Sequence, residues 1–424
     1  MRQNISLKLI VMNFLEFAVW GSYLTSMGSF LAGAGLGKMI WLFFAMQGIV
    51  SIFMPAIMGI VADKWIPAQK TLSLSHGIAG LAMFAAGFYA MKAGSNIEFG
   101  PFFALYAVSV AFFMPTIAIA NSVAYNALEG AGKDPVKDFP PIRVFGTVGF
   151  ICAMYFVNFV KNGNGVQFQN SYEQFMTSGI LSIILCGYAL TMPNCPCKPK
   201  GEGAQSFAEA TGLSAFKLFK NGQFAIFFIF SMLLGASLQI TNGYANTFIT
   251  HFKDIPEFAT AWGASNANVI ISLGQISETI CILLIPFCLK KFGIKKVMLI
   301  AMFAWVFRFG FFGLGNPGSG VWLFILSGIV YGVAFDFFNI SGSLYVNENT
   351  DKGIRSSAQG LFMLMTNGLG ATIGTFVAGK VVNALVYNAA EPNWQLTWYI
   401  FAGYALVVGI LFAILFKDPQ KATK

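Results

Sequence analysis

Charge is what this 424-residue chain has least of. Only 10% of its residues are Asp, Glu, Lys or Arg, against roughly 25% in soluble domains. So few polar groups cannot cover the surface of a soluble fold of this length, which removes soluble enzymes and soluble binding modules. The phosphate-cradling pattern G-x-x-x-x-G-K-S/T is missing, so no ATP motor is encoded. No apolar run is studded with Arg, which removes a voltage sensor. Cysteine is scarce, six in all. Cys152, Cys186 and Cys281 lie in apolar runs and read as small hydrophobes. Cys195 and Cys197 (NCPCKPK) would need two more ligands for zinc, and the only histidines, His76 and His251, are distant in sequence. No metal is expected.

What is abundant is apolar surface. Apolar residues make up 56% of the chain, aromatics 16%, and Phe alone occurs 46 times. A membrane span takes about 20 mostly apolar residues. Such runs occur at roughly 9–31, 39–62, 72–92, 101–123, 142–161, 174–193, 222–248, 266–288, 296–314, 321–343, 357–379 and 395–416. The expected fold is therefore an all-α integral membrane protein with twelve transmembrane helices. Most of the 26 Lys and Arg fall on the side that holds both termini, and only Lys38, Lys92, Lys161, Lys253 and Lys380 fall on the other. The positive-inside rule makes both termini cytoplasmic. The net charge of +9 is spread over separate loops, a poor footprint for nucleic acid. The first run is long and carries Glu16 without a clear small-residue cleavage site, so it reads as a span and not a cleaved signal.

The chain divides near its middle: a six-helix half at 1–193, a central cytoplasmic loop at 194–221 and a second six-helix half at 222–424. The two halves echo each other. Gly59–Lys70 (GIVADKWIPAQK) follows the second span, and Cys288–Met298 (CLKKFGIKKVM) follows the eighth. Both loops are short and basic. This parallel repeat, with the Gly59–Ala62–Asp63–Lys64 stretch, resembles the major facilitator superfamily. In that setting Asp63 and Lys64 read as gate residues.

Ionisable groups at membrane depth are costly and persist where they have a task. Asp336 lies inside VWLFILSGIVYGVAFDFFNI, Glu278 inside the eighth run and Glu16 inside the first. Polar and aromatic residues accompany them at helical spacing. Arg143, Thr147 and Phe150 align in the fifth run, Gln239 and Asn242 in the seventh, Gln275 and Glu278 in the eighth, and Tyr331 and Phe335 beside Asp336 in the tenth. One cation, two acids and paired amides suit a neutral hydrogen-bonding solute, and the rings suit a flat partner. No His is expected deep in a span, so a carboxylate must carry any proton. Arg308 reads as structural, paired with Asp336 or Glu278 or reaching to the surface. Glu16 is either a cavity residue or an acid satisfied near Ser22 and Tyr23. The eleventh run's glycines (Gly368, Gly370, Gly374, Gly379) permit close helix packing.

Seven segments resemble the bacterial nucleoside:proton symporters of the nucleoside permease type: Phe17–Ser29, Phe53–Trp65, Asp138–Phe150, Ala225–Asn242, Ile271–Leu283, Ile329–Ser343 and Ser356–Gly368. The resemblance covers nearly the whole chain. It implies proton-coupled import of nucleosides across the bacterial inner membrane by a monomer, with alternating access and no cofactor beyond the proton gradient. It also implies that Arg143, Thr147, Phe150, Gln239, Asn242, Gln275, Glu278, Tyr331 and Phe335 contact substrate. Asp336 becomes the leading proton carrier, with Glu278 and Glu16 behind it. At Glu16 the family usually carries a neutral Gln, so this acid is a departure. Competing readings are a proton-coupled sugar or glycoside symporter, a proton-antiport exporter and a non-transporting sensor on the same fold.

Overall fold

The computed structural model describes residues 5–197, 213–351 and 354–417. The middle of the central loop and both chain ends lie outside the described residues. With them go Arg2, Lys198, Lys200, Lys352, Lys421 and Lys424 of the charge pattern. Among the described residues there is no sheet, only one isolated antiparallel bridge between Lys161 and Gln167.

The helical segments, in chain order, are α1 (Ile5–Gly21, resumed at Met27–Gly33), α2 (Ile40–Lys64), α3 (Ala68–Ala93), α4 (Phe99–Phe113, resumed at Thr116–Gly130), α5 (Pro135–Phe159) and α6 (Glu173–Ala189). They continue as α7 (Gly222–His251), α8 (Ala267–Phe292), α9 (Ile294–Leu314), α10 (Val321–Asn349), α11 (Arg355–Met363, continued through Ala371–Val382) and α12 (Trp394–Leu415). Among the described residues, ten stretches are long and apolar enough to cross a membrane. The other two are α1 and α6, whose long segments have 17 residues each. At 1.5 Å per residue that is about 25 Å, a little short of a ~30 Å hydrocarbon core.

Two runs expected to be continuous are broken. The first opens into a turn at 22–26, where the Ser22 hydroxyl bonds back to the Ala18 carbonyl at 2.7 Å. The fourth breaks at Met114–Pro115, because proline has no N–H to donate and its ring clashes with the preceding turn. Segment α11 widens into π-helical turns at Leu364–Gly370 and Asn383–Tyr387. Between α8 and α9 the chain turns on Gly293 at φ +76°, a conformation that suits glycine.

The chain forms two compact units, Met1–Leu36 with Ile49–Ala210, and Gly37–Gly48 with Thr211–Lys424. Small residues set the closest approaches within each. In lipid the helices gain little from apolar burial, so packing and interhelical hydrogen bonds decide which faces meet. In the first unit, a Cβ on Gly21 would strike the Phe150 carbonyl and one on Gly149 the Phe14 carbonyl, which locks α1 on α5. Gly80 and Gly179 do the same for α3 and α6. Hydroxyls then bond across to backbone carbonyls: Ser178 to Val19 and Ser109 to Ala79, each at 2.8 Å. In the second unit, Gly370 packs on the Met232 carbonyl, Gly374 on Ala236 and Gly379 on Trp41, so the eleventh run's glycines serve close packing.

Candidate functional site

The contact between α8 and α10 places the two acids of the second unit. Gly328 faces Leu273, and Gly332 faces the backbone of Ser277 and Glu278, where a Cβ would lie 2.5 Å from the Ser277 carbonyl carbon. The Ser277 hydroxyl donates to the Ile329 carbonyl at 2.5 Å. Asp336 lies one turn beyond Gly332. Glu278 and Asp336 are thereby held within electrostatic reach of each other. Asp336 is buried, at 5% exposure, and its Oδ2 has no hydrogen-bond partner among the described residues.

Two other predicted residues share that condition. The side-chain carbonyls of Gln239 on α7 and Gln275 on α8 are buried and unpartnered. Leaving a buried acceptor unsatisfied costs about 1–3 kcal/mol, so three of them on neighbouring elements mark a place built to receive donors. Asn242 and Glu278 are half-buried. Tyr331 and Phe335 lie with parallel rings, centroids 6.2 Å apart and planes 5° apart.

Arg308 holds this wall up from behind. It is buried, and its guanidinium sits 4.4 Å from the centre of the Tyr331 ring and 5.2 Å from that of Phe312. Its Nη1 donates to the Ser327 carbonyl at 2.7 Å, while the Ser327 hydroxyl donates to the Arg308 carbonyl at 3.0 Å. Neither geometry expected for Arg308 is found. It is no surface-reaching side chain, and its partners are a carbonyl, the Thr241 hydroxyl and two rings instead of Asp336 or Glu278. The bonds from the guanidinium to the Ser327 carbonyl and the Thr241 hydroxyl, with the two ring faces, explain why a buried cation is tolerated without an acid.

In the first unit Arg143 is half-buried, and its guanidinium stacks over Phe17 at 3.9 Å. Thr147 lies one turn further on and is half-buried; Phe150 is buried. Phe150 meets Trp20 edge-on with centroids 6.2 Å apart, and the Trp20 indole N–H is buried with no partner among the described residues. Phe17 and Trp20 were missed by the sequence reading, although Phe17–Trp20 opens one of the seven resembling segments. Both are aromatic in an aromatic-rich chain, and only the α1–α5 contact singles them out. Asp63 and Lys64 end α2, Lys64 being exposed.

Glu16 is the largest correction. It is 1% exposed, and neither Ser22 nor Tyr23 satisfies it. Its Oε2 lies 2.8 Å from His76 Nε2, and its Oε1 accepts from the Thr116 hydroxyl at 2.6 Å. His76 is fully buried on α3, which overturns the expectation that no His lies deep in a span. It stands about 13 Å into a 26-residue helix. The polar string TLSLSHG around it made that end of the run look like its margin.

Two helical bundles with interior acids, orphaned amide carbonyls and aromatic walls define a polytopic membrane transporter of the major facilitator fold. A D-xylose-proton symporter shares that fold at 14% identity, TM-score 0.66, over 98% of each chain. A sequence model of the nucleoside H+ symporter family matches residues 3–421, and the chain belongs to that family. It is 45% identical to the xanthosine permease of Escherichia coli K12, over 99% of this chain and 98% of that protein. It is 44% identical to the nucleoside permease NupG of the same organism, over 98% and 96%. The crystal structure of nucleoside transporter NupG superposes with a TM-score of 0.88 at 44% identity, covering 98% of this chain and all of that one. The relatives are permeases; this is a transporter and not an enzyme.

Proposed function

We propose that the protein imports nucleosides together with protons across the bacterial cytoplasmic membrane, by alternating access, as a monomer with both termini inside. The observation that carries the reading is the trio of buried, unpartnered acceptors on Gln239, Gln275 and Asp336, on three neighbouring helices, with the parallel Tyr331–Phe335 rings on the same helix as Asp336. A nucleoside presents hydroxyl donors on its sugar and a flat base that can carry N–H donors at its edge. The donors relieve the orphaned acceptors, and the base packs against the rings. Glu278 and Asn242 add hydrogen-bonding capacity along the same helices. Arg143, Thr147 and Phe150 are the substrate-contacting residues proposed for the first unit.

Asp336 is the proposed proton carrier. It is a buried carboxyl with an unpartnered oxygen and a second acid, Glu278, within electrostatic reach. Two such acids need not ionise together and titrate as a pair. Asp63 and Lys64 are proposed to take part in gating at the cytoplasmic end of α2. The energy source is the proton gradient, with no further cofactor.

The test is uptake of radiolabelled uridine and adenosine into proteoliposomes, with and without an inward proton gradient. Gradient-dependent accumulation of either is expected. Accumulation of sugars or glycosides in place of nucleosides would overturn the substrate class, and gradient-independent equilibration would overturn the coupling.

A further inference from the structure

The Glu16 cluster holds more than a satisfied acid. Its hydrogens can be counted. The Ser182 hydroxyl has one hydrogen and donates it to the His76 carbonyl, 2.9 Å away. The Ser182 oxygen is then an acceptor at His76 Nδ1, also 2.9 Å away. That makes Nδ1 the protonated nitrogen. Nε2 faces Glu16 Oε2 at 2.8 Å. Two lone pairs at that distance would repel, so a proton sits between them, on one atom or the other.

The other carboxylate oxygen has room for a second proton. Thr116 Oγ1 lies 2.6 Å from Glu16 Oε1 and 2.5 Å from the Phe113 carbonyl. When Oε1 is bare, the threonine hydroxyl donates to it. When Oε1 is protonated, the carboxyl donates to Thr116 and the hydroxyl turns to Phe113. Either state leaves every buried group with a partner, so the change of charge orphans nothing. Gaining a proton here breaks no bond in the bundle.

The cluster is also wired to a proposed substrate wall. The Phe113 ring lies 6.0 Å from the His76 ring and 6.0 Å from Trp20, and Trp20 meets Phe150 edge-on. Other titratable groups lie on the elements packed around the cluster. They are Arg143 on α5, stacked over Phe17; Cys186 on α6, beside Ser73; and Tyr106 on α4, edge-on to Tyr23.

We propose that Glu16, His76 and Thr116 form a second proton-carrying site, in the first unit, whose occupancy is coupled to nucleoside binding through Phe113 and Trp20. The inference deepens the symport reading and rests on it for the coupling. The proton itself moves from water to Glu16 Oε1 and back, with no other bond made or broken.

The experiment compares the wild type, Glu16→Gln, Thr116→Val and Asp336→Asn in proteoliposomes. The quantity read is the limiting uridine accumulation ratio against the imposed pH gradient. Each coupled proton multiplies that ratio by about ten per pH unit. Removing one proton should therefore lower accumulation about tenfold at a one-unit gradient in Glu16→Gln, and likewise in Thr116→Val. Equal slopes in the wild type and in folded Glu16→Gln would overturn the proposal and leave the cluster as a static strut. If Glu16→Gln does not fold, Thr116→Val carries the same comparison. If the wild type accumulates no nucleoside, the symport reading fails separately. The proton site is then judged on the ligand-free protein by infrared difference spectra across pH. A protonated-carboxyl stretch that Thr116→Val shifts supports it, and no such stretch at any pH overturns it.

Discussion

Gly332 offers the sharpest test of how the two acids of the second unit are held. Its Cα faces the backbone of α8, and a methyl group there would lie 2.5 Å from the Ser277 carbonyl carbon and 2.6 Å from the Glu278 nitrogen. Ordinary contact begins near 3.4 Å, so Gly332→Ala must push α10 off α8 by about 0.9 Å. The obstacle is backbone on a packed helix, so no side chain can swing away. Overpacking of this kind costs about 1–3 kcal/mol. The same displacement pulls the Ser277 hydroxyl from the Ile329 carbonyl, worth about another 1 kcal/mol. It also shifts Asp336, one turn along α10, relative to Glu278. Gly332→Ala should therefore lower the apparent Tm and weaken uridine binding together. Gly310→Ala is the control, because nothing lies within 4 Å of its added methyl; replacing a helix-interior glycine there should leave the protein as stable or raise stability by about 0.5–1 kcal/mol. The readouts are a thermal scan in detergent and a uridine binding isotherm. A Gly332→Ala protein with wild-type Tm and wild-type affinity would refute the claim that this contact sets the acid pair.

Other substitutions probe individual groups. Asp336→Asn should lower gradient-driven accumulation about tenfold or more at a one-unit gradient while leaving uridine exchange, and full accumulation would move the coupling role elsewhere. Glu278→Gln should weaken substrate binding by about 1–3 kcal/mol, the cost of mispairing a polar group in the site; unchanged affinity by calorimetry would remove Glu278 from it. Arg308→Met should free the Tyr331 ring, break the guanidinium bonds to the Ser327 carbonyl and the Thr241 hydroxyl and forfeit a desolvated cation–π contact of about 2 kcal/mol. A lower Tm with a raised KM for uridine is expected, and a loss of Tm alone would confine Arg308 to the fold. Burial pushes the Cys195 thiol above its ordinary value, so less of it is thiolate near neutral pH. Maleimide should therefore modify Cys195 more slowly than Cys197, and equal rates by peptide mass analysis would contradict its packing.

The site was partly legible in the sequence, and the boundary follows the reach of helical periodicity. Residues that share one helix announce themselves through spacing. Gln275 and Glu278, or Tyr331 and Phe335, could be paired on paper because three or four residues make one turn. Nothing in a single helix says what lies opposite it. The Arg143–Phe17 stack joins α5 to α1, and the Arg308–Ser327 pair joins α9 to α10. Neither has a local signal, and the electrostatic guess for Arg308, an acid partner, was the wrong one.

By itself, the sequence determined what depends on composition and on runs. The scarcity of charge dictated membrane burial, the lengths of the apolar runs dictated the spans, and the interior acids marked helices with work to do. The local motifs were distinctive enough to resemble one family. Tertiary structure decided what depends on contact between distant segments. Glu16 and His76 stand 60 residues apart and meet at 2.8 Å only because Gly80 and Gly179 draw α3 and α6 together, while α1 bonds to the same α6 through Ser178. The proline at position 115 broke a run that hydropathy alone had read as continuous. The physical reason is the same in each case. Hydropathy is a property of residues one at a time, whereas a hydrogen bond across helices belongs to a pair of surfaces that exists only once the chain has packed.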